Sequence, residues 1–347
     1  MPCSPAALHN VRRVWRPPFR RPAAVLVAFA SLCAVQPLCV SAQAEDVTVT
    51  TPRRPQSDAE LRSWLESFVW RHRFGRDEIQ AALGLGDEEL TEALARFDIR
   101  PDNAPPLPAD RVYVLPYPGG RHPRIGFLDG AIDPQRETKV SIFTPWQPAD
   151  HSRADYVVAD VPEAIWSNLG LTYLAHTHVP TIWTQQNVPL EPLEWSRGDD
   201  GALELKRRLP NGIEFGTVVT PKSDHVAMEM TLTNGTDRAL SDLRVQNCVM
   251  LRGAQGFDQQ TNDNKRFVAP YAAARDASGR RWIISAWKPN HRTWGNAPCP
   301  CLHSDPLFPD CAPGETQRLR GWLSFYEGDD LDAELARIES LQWEQPE

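Results

Sequence analysis

The apolar positions of this chain fall into two regimes. Between residues 57 and 98 they recur with helical spacing. Leu61, Trp64, Leu65, Phe68 and Val69 occupy i, i+3, i+4, i+7 and i+8, which is one stripe on a helix. Ser57 followed by Glu60 is a capping box at its start. Two shorter helices are predicted around 77–83 and 87–97, separated by Gly84-Leu85-Gly86. Pro101 to Pro108 then reads as a linker.

From residue 111 onward the period changes to short apolar runs bounded by turn residues. Val112–Pro116, Arg124–Asp129, Val140–Pro145 and Tyr156–Asp160 are strand signals. Asp199-Asp200-Gly201 separates Leu193–Trp195 from Leu203–Leu205, and Pro210-Asn211-Gly212 leads into Ile213–Phe215. Asn234-Gly235 stands between two alternating runs, His225–Thr233 and Leu240–Leu251, and predicts a hairpin joining them. Arg281–Trp287 and Leu319–Tyr326 add strands, and Asp330–Leu341 reads as a terminal amphipathic helix. Many strands and few helices over about 240 residues predict a mainly β fold, a large antiparallel β-sandwich, with a small helical segment before it.

The first residues change the count. Five arginines (Arg12, Arg13, Arg16, Arg20, Arg21) precede an apolar stretch, Ala23–Val35, and Ala42-Gln43-Ala44 is a cleavage pattern. This reads as an export signal cleaved near Ala44, too short for a stable membrane span. The expected organisation is a signal peptide (1–44), a disordered tail (45–56), a helical segment (57–100), a linker (101–110) and the sandwich (111–347). The expected location is periplasmic or secreted. Without the leader, 32 basic residues face 45 acidic ones, a formal charge of −13. The three helices resemble the spacing of a DNA-binding helix-turn-helix, but export and this charge argue against a nucleic-acid partner. Three of seven cysteines go with the leader. Cys248, Cys299, Cys301 and Cys311 remain, an even number that predicts two disulfides in an oxidising compartment. A Cys299–Cys301 bridge would strain a very small ring, so one of the two is expected to pair with Cys311 and the other with Cys248.

The run Val226–Leu240 and the later Pro313-Gly314-Glu315 before a strand resemble segments of the galactose mutarotase-like supersandwich proteins. The likeness covers roughly residues 150–330 and implies a sugar-handling sandwich. The His-Pro-Tyr-Phe type motif of mutarotases is missing, so the resemblance assigns no catalytic residue.

Three constellations could carry chemistry. In His176-Thr177-His178, residues i and i+2 of a strand face one way and could share a metal or ligand. Gly170 before them matches the opening of a cupin motif, but no later part of that motif follows. One core and one exposed histidine is the plain alternative. In Cys299-Pro300-Cys301-Leu302-His303-Ser304-Asp305, the odd positions would share one face of an extended backbone. Thiolate and imidazole suit zinc, copper or iron, whereas disulfides would instead pin the loop and hold His303 and Asp305 rigid. The third is aromatic and basic. Trp183, Arg266, Arg292 and Trp294 are the candidates for holding a sugar ring, although most of the 12 tryptophans are expected in the core. Glu191 and Glu194 read as a turn rather than a catalytic pair, and the Asn234-Gly235-Thr236 sequon reads first as a turn.

These residues predict acid–base chemistry on a sugar or polysaccharide fragment, by His176, His178, His303 and Asp305. A divalent metal on His176, His178 and His303 is a variant of it. The alternatives are a non-catalytic carbohydrate-binding or cell-surface module and a secreted metal-binding protein. The sequence leaves the oligomeric state open.

Overall fold

A computed structural model describes residues 52–123, 132–133, 136–148, 153–175 and 179–345. The leader, the expected strand at 124–129, and His176 and His178 lie outside these residues.

The helical segment comprises α1 (Asp58–Glu66), a π-helical turn (Ser67–His72), α2 (Arg76–Leu83) and α3 (Asp87–Arg96). Ser57 accepts from the Glu60 amide as the capping box requires. The Glu60 carboxylate returns to the Gln56 amide, one residue earlier than expected. Among the described residues the strands are β1 (Val114–Pro116), β2 (Gly120–Arg121), β3 (Ile132–Asp133), β4 (Lys139–Phe143), β5 (Tyr156–Ser167) and β6 (Gly170–Leu174). After α4 (Ile182–Gln185) come β7 (Ser196–Arg197), β8 (Leu203–Arg208), β9 (Glu214–Pro221), β10 (His225–Thr233) and β11 (Val245–Met250). Then follow β12 (Lys265–Val268), β13 (Tyr271–Arg275), β14 (Arg281–Lys288), β15 (Asn290–Trp294), β16 (Cys301–Pro306), β17 (Thr316–Glu327) and α5 (Leu331–Ser340).

Two antiparallel sheets face each other. One has seven strands in the order β1-β4-β5-β11-β16-β15, with β6 added beside β5. The other has eight, β12-β13-β14-β17-β10-β9-β8-β7. Alternation decides which residues fill the space between them. On β10, Val226, Met228, Met230 and Leu232 are buried while the intervening residues are partly open. Val157, Ala159, Val249 and Leu302 of the first sheet meet Phe215, Leu319 and Leu323 of the second in one core.

Each sheet's outer face is also covered. Leu65, Phe68, Ile79 and Leu90 of the helical segment pack on Phe143, Tyr156, Val158, Cys248, Met250 and Cys301 of the seven-stranded sheet. Leu331, Leu335 and Ile338 of α5 cover Trp282, Ile284 and Trp322 of the other. The helical segment is therefore a layer of the sandwich, and Thr48–Glu347 forms one compact unit. The inner strands β4, β5, β11 and β16 of the seven-stranded sheet are buried on both faces, so β5 reads as a nearly continuous buried run.

The predicted hairpin at Asn234-Gly235 is corrected. β10 pairs with β9 and β17, whereas β11 pairs with β5 and β16 in the opposite sheet. The chain leaves one sheet at Asn234 and crosses to the other. Asn234 is fully buried, and its Nδ2 donates to the carbonyls of Arg238 and Cys311. Its amide is spent on the crossover, so the sequon marks a structural turn.

Candidate functional site: a cysteine–histidine hairpin and an aromatic groove

The segment around Cys301 is a strand. β16 pairs with β15 in the register Trp294–His303, Thr293–Ser304 and Arg292–Asp305. On its other side Met250 opposes Cys301 and Val249 opposes Leu302. The expected alternation holds: Leu302 enters the core between the sheets, while Cys301 joins the cluster under the helices.

His303, Asp305, Arg292 and Trp294 are brought together. The indole of Trp294 stacks on His303 with ring centroids 4.0 Å apart. Asp305 Oδ2 accepts from Arg292 Nε at 2.8 Å and from Trp294 Nε1 at 2.7 Å. Its Oδ1 accepts from the Asn247 amide at 3.2 Å. His303 Nδ1 lies 2.8 Å from the Asn247 carbonyl, and Nε2 lies 3.4 Å from Cys301 Sγ. His303 and Asp305 are 3% and 1% exposed, so neither offers an open surface to a substrate.

Charge in this group is shared. Cys301 is pulled down to about 4, chiefly by the hydrogen bond with Cys248, with burial opposing and His303 helping. Burial disfavours the His303 cation, but Cys301, Glu163 and Asp305 outweigh it and raise its pKa.

The expected disulfides are not formed: none of these four cysteines is bridged, and all four are buried. Topology explains the failure of any pairing with Cys311. Cys311 lies in the core between the sheets, where its Sγ contacts the Glu315 carbonyl at 3.3 Å. Cys248, Cys299 and Cys301 lie on the outer face, under the helices.

Two sugar-binding candidates are placed elsewhere. Trp183 is buried on α4, and its Nε1 donates to the Thr172 carbonyl. Arg266 on β12 is ion-paired with Asp332 at 2.9 Å. Its neighbour Lys265 turns to the hairpin instead, reaching Asn262 Oδ1 and the Asn296 carbonyl.

A second concave region was not singled out in the sequence. A cleft of about 350 Å³ lies between α1, the π-helical turn and the β1 edge, with Trp64, Trp70, Arg71, Tyr113, Trp195 and Arg197 on its wall beside the carboxylates of Glu60, Glu66 and Glu194. A depression of about 960 Å³ adjoins it, sharing Trp70, Arg71 and Pro105 and adding Arg73 and Arg153. The guanidinium of Arg71 sits 5.2 Å from the Tyr113 ring, and that of Arg197 5.7 Å from the same ring. Among the described residues no carboxylate pairs with Arg71, Arg73 or Arg197. Arg136, 2% exposed, lies 4.2 Å over Trp64 and pairs with Glu194 at 3.0 Å. Among the described residues its Nε and Nη1 have no hydrogen-bond partner, nor does Trp195 Nε1. Burial pulls Arg136 down to about 10, against the attraction of Glu194. The usable signal was Trp70-Arg71, which lies off the apolar stripe, although Trp70 is partly buried against the helical cluster.

The groove and the hairpin lie at opposite edges of one sheet, β1 and β15. Five strand steps at about 4.8 Å separate them by roughly 24 Å. They are two sites.

No protein-family model matches the chain, and no curated protein matches it. Among solved structures, a polysaccharide lyase is similar over 65% of this chain and 34% of its own, at 13% identity and a TM-score of 0.33. The match thus spans about a third of the lyase. The Slr1438 protein of Synechocystis sp. PCC 6803 matches over 55% of this chain and 88% of its own, at 12% identity and a TM-score of 0.32. An Escherichia coli protein provisionally described as an aldose 1-epimerase matches over 54% and 89%, at 12% identity and a TM-score of 0.32. The likeness is architectural, and no residue role is carried across it.

Proposed function

We propose that this chain is an exported carbohydrate-binding protein that holds a fragment of an acidic polysaccharide along the groove beside α1. One observation carries the proposal: Arg71 and Arg73, which pair with no carboxylate among the described residues, stand with Trp70 and Phe74 in the larger depression, while Glu60, Glu66 and Glu194 line the adjoining cleft. Aromatic rings suit the C–H faces of sugars, and guanidinium forks suit carboxylate or sulfate substituents. Two adjoining depressions suit a chain of several rings rather than one. The basic leader followed by an apolar run supports export, where such polymers are met.

The catalytic version of this reading assigns acid–base work on the sugar to His176, His178, His303 and Asp305, with or without a metal. His303 and Asp305 are buried, bonded and far from the groove. Within the described residues the geometry therefore favours recognition over turnover.

The test is a glycan array followed by titration calorimetry on the chain without its leader. Acidic oligosaccharides should bind, and Trp70→Ala or Arg71→Ala should weaken binding roughly tenfold or more, about 1.4 kcal/mol. His303→Ala should leave the affinity unchanged. If no glycan, acidic or neutral, binds the folded protein, the proposal fails.

A further inference from the structure

Cys248, Cys301 and His303 are buried side by side, and the sugar groove makes no use of them. Their ligand atoms all lie within 4.8 Å of one another. We propose that these three residues bind a zinc-class divalent ion that clamps β11 to β16.

Three features support the assignment. The first is spacing. Tetrahedral zinc, with Zn–S of about 2.3 Å and Zn–N of about 2.0 Å, sets its sulfur and nitrogen ligands about 3.6 Å apart. Cys301 Sγ and His303 Nε2 already stand 3.4 Å apart. The second is the outer shell. His303 Nδ1 is bound to the Asn247 carbonyl at 2.8 Å, so it carries the proton and leaves the Nε2 lone pair facing the sulfurs. Trp294 stacks on the ring and fixes its plane. The third is donor chemistry. Two thiolates and an imidazole select zinc over magnesium or calcium. Cys299, 7% exposed, belongs to the same apolar cluster but is not one of the three residues whose ligand atoms lie within 4.8 Å of one another.

Register argues against the simplest rival, a Cys248–Cys301 disulfide. Met250 opposes Cys301, so continuing the ladder places Cys248 opposite His303 and diagonal to Cys301. Diagonal neighbours stand further apart at Cβ than opposed ones, whereas a disulfide needs Cβ atoms about 3.8 Å apart. Two sulfurs within 4.8 Å of each other and of an imidazole nitrogen suit a shared ion.

The experiment uses the full chain without its leader, purified with no chelator and no metal-binding tag. Elemental analysis should find one zinc per chain. Exchange with cobalt should give thiolate-to-metal charge-transfer absorption, lost in Cys301→Ser and in His303→Gln. Cys311→Ser, altered on the opposite face of the sheet, should keep the full spectrum. Should the single-site variants not fold, thiol titration of the unaltered protein still decides. Cys248 and Cys301, identified by mapping the labelled peptides, should become more reactive when a chelator is added. A Cys248–Cys301 disulfide in non-reduced peptide maps overturns the proposal. So does folded protein that takes up neither zinc nor cobalt, or a folded His303→Gln variant with an unchanged cobalt spectrum.

Discussion

Trp294 lies flat on His303, their rings 4.0 Å apart and within 11° of parallel, as direct partners across the β15–β16 ladder. The indole is held there from its far end, because Asp305 accepts its Nε1 proton. Asp305 also accepts from Arg292 and from the Asn247 amide, and the Asn247 carbonyl holds His303. One buried carboxylate thus orders the whole hairpin face, and its lone pairs are spent on that work.

Asp305→Ala removes the acceptor for three donors at once. The Asn247 amide is buried, whereas the Arg292 side chain is half exposed and can find water. An unsatisfied buried donor costs about 1–3 kcal/mol. The expected loss is about 2–3 kcal/mol in urea unfolding, together with a change in tryptophan emission. Asp305→Asn keeps an acceptor and should lose less. Equal stability of Asp305→Ala and wild type would contradict the central role given to this carboxylate.

His72 sets an acid limit on stability. It is 1% exposed, with Nε2 at 2.7 Å from Ser141 Oγ and Nδ1 at 2.9 Å from the Ser67 carbonyl. Burial, with the Arg121 charge as a lesser cause, lowers its pKa from 6.5 to about 3, against the pull of the Ser67 carbonyl. Between those values the unfolded chain binds the proton and the folded chain does not. Stability is therefore full above pH 6.5 and falls as pH drops toward 3, by about 1 kcal/mol per pH unit. Urea midpoints at pH 7 and pH 5 should differ, and His72→Gln should flatten the difference. A wild-type profile flat over that interval would rule this out.

Much of the fold was legible because burial alternates on one-sided strands. His225–Thr233 is a strand with the bounds its pattern gave, since one face meets the core and the other remains partly open. The alternation at Cys301, His303 and Asp305 was legible for the same reason. What failed depended on partners distant in sequence. Asn234-Gly235 has the composition of a tight hairpin, but composition does not say which sheet the next strand joins. Arg266 was chosen by residue type, and only the register of β12 shows that it pairs with Asp332 while the adjacent Lys265 reaches the hairpin. The disulfides were inferred from an even count, yet Cys311 and the other three stand on opposite faces of a sheet. The groove was hidden because Trp64 belongs to the apolar stripe, and only its exposed edge distinguishes it from core.

Asn234 should not carry a glycan even in a host that glycosylates Asn-Gly-Thr. Its amide donates at 2.7 Å and 2.8 Å to two carbonyls and is fully buried. Mass spectrometry of protein secreted from such a host should find the site unmodified. Asn234→Ala leaves the Cys311 carbonyl without this donor and should cost about 1–3 kcal/mol. A modified and fully stable protein would contradict this placement.

Gly321 on β17 faces Trp287 on β14 as its register partner. A Cβ at Gly321 would stand 2.6 Å from Cε2 and Cζ2 of the Trp287 ring, closer than carbon atoms approach. Trp287 is 1% exposed within the core between the sheets, and its amide is held at 2.9 Å by Ser304 Oγ. The ring has no room to retreat. Gly321→Ala should then cost about 1–3 kcal/mol by overpacking, although alanine restricts the unfolded chain more than glycine does. The cause can be isolated with a second change. Trp287→Leu destabilises by itself through the cavity it leaves, but it also removes the ring that the new methyl would strike. The double variant should therefore be more stable than the sum of the single effects predicts, by about 1 kcal/mol or more. Strict additivity in urea unfolding would mean that the cost of alanine at position 321 arises elsewhere than against this ring.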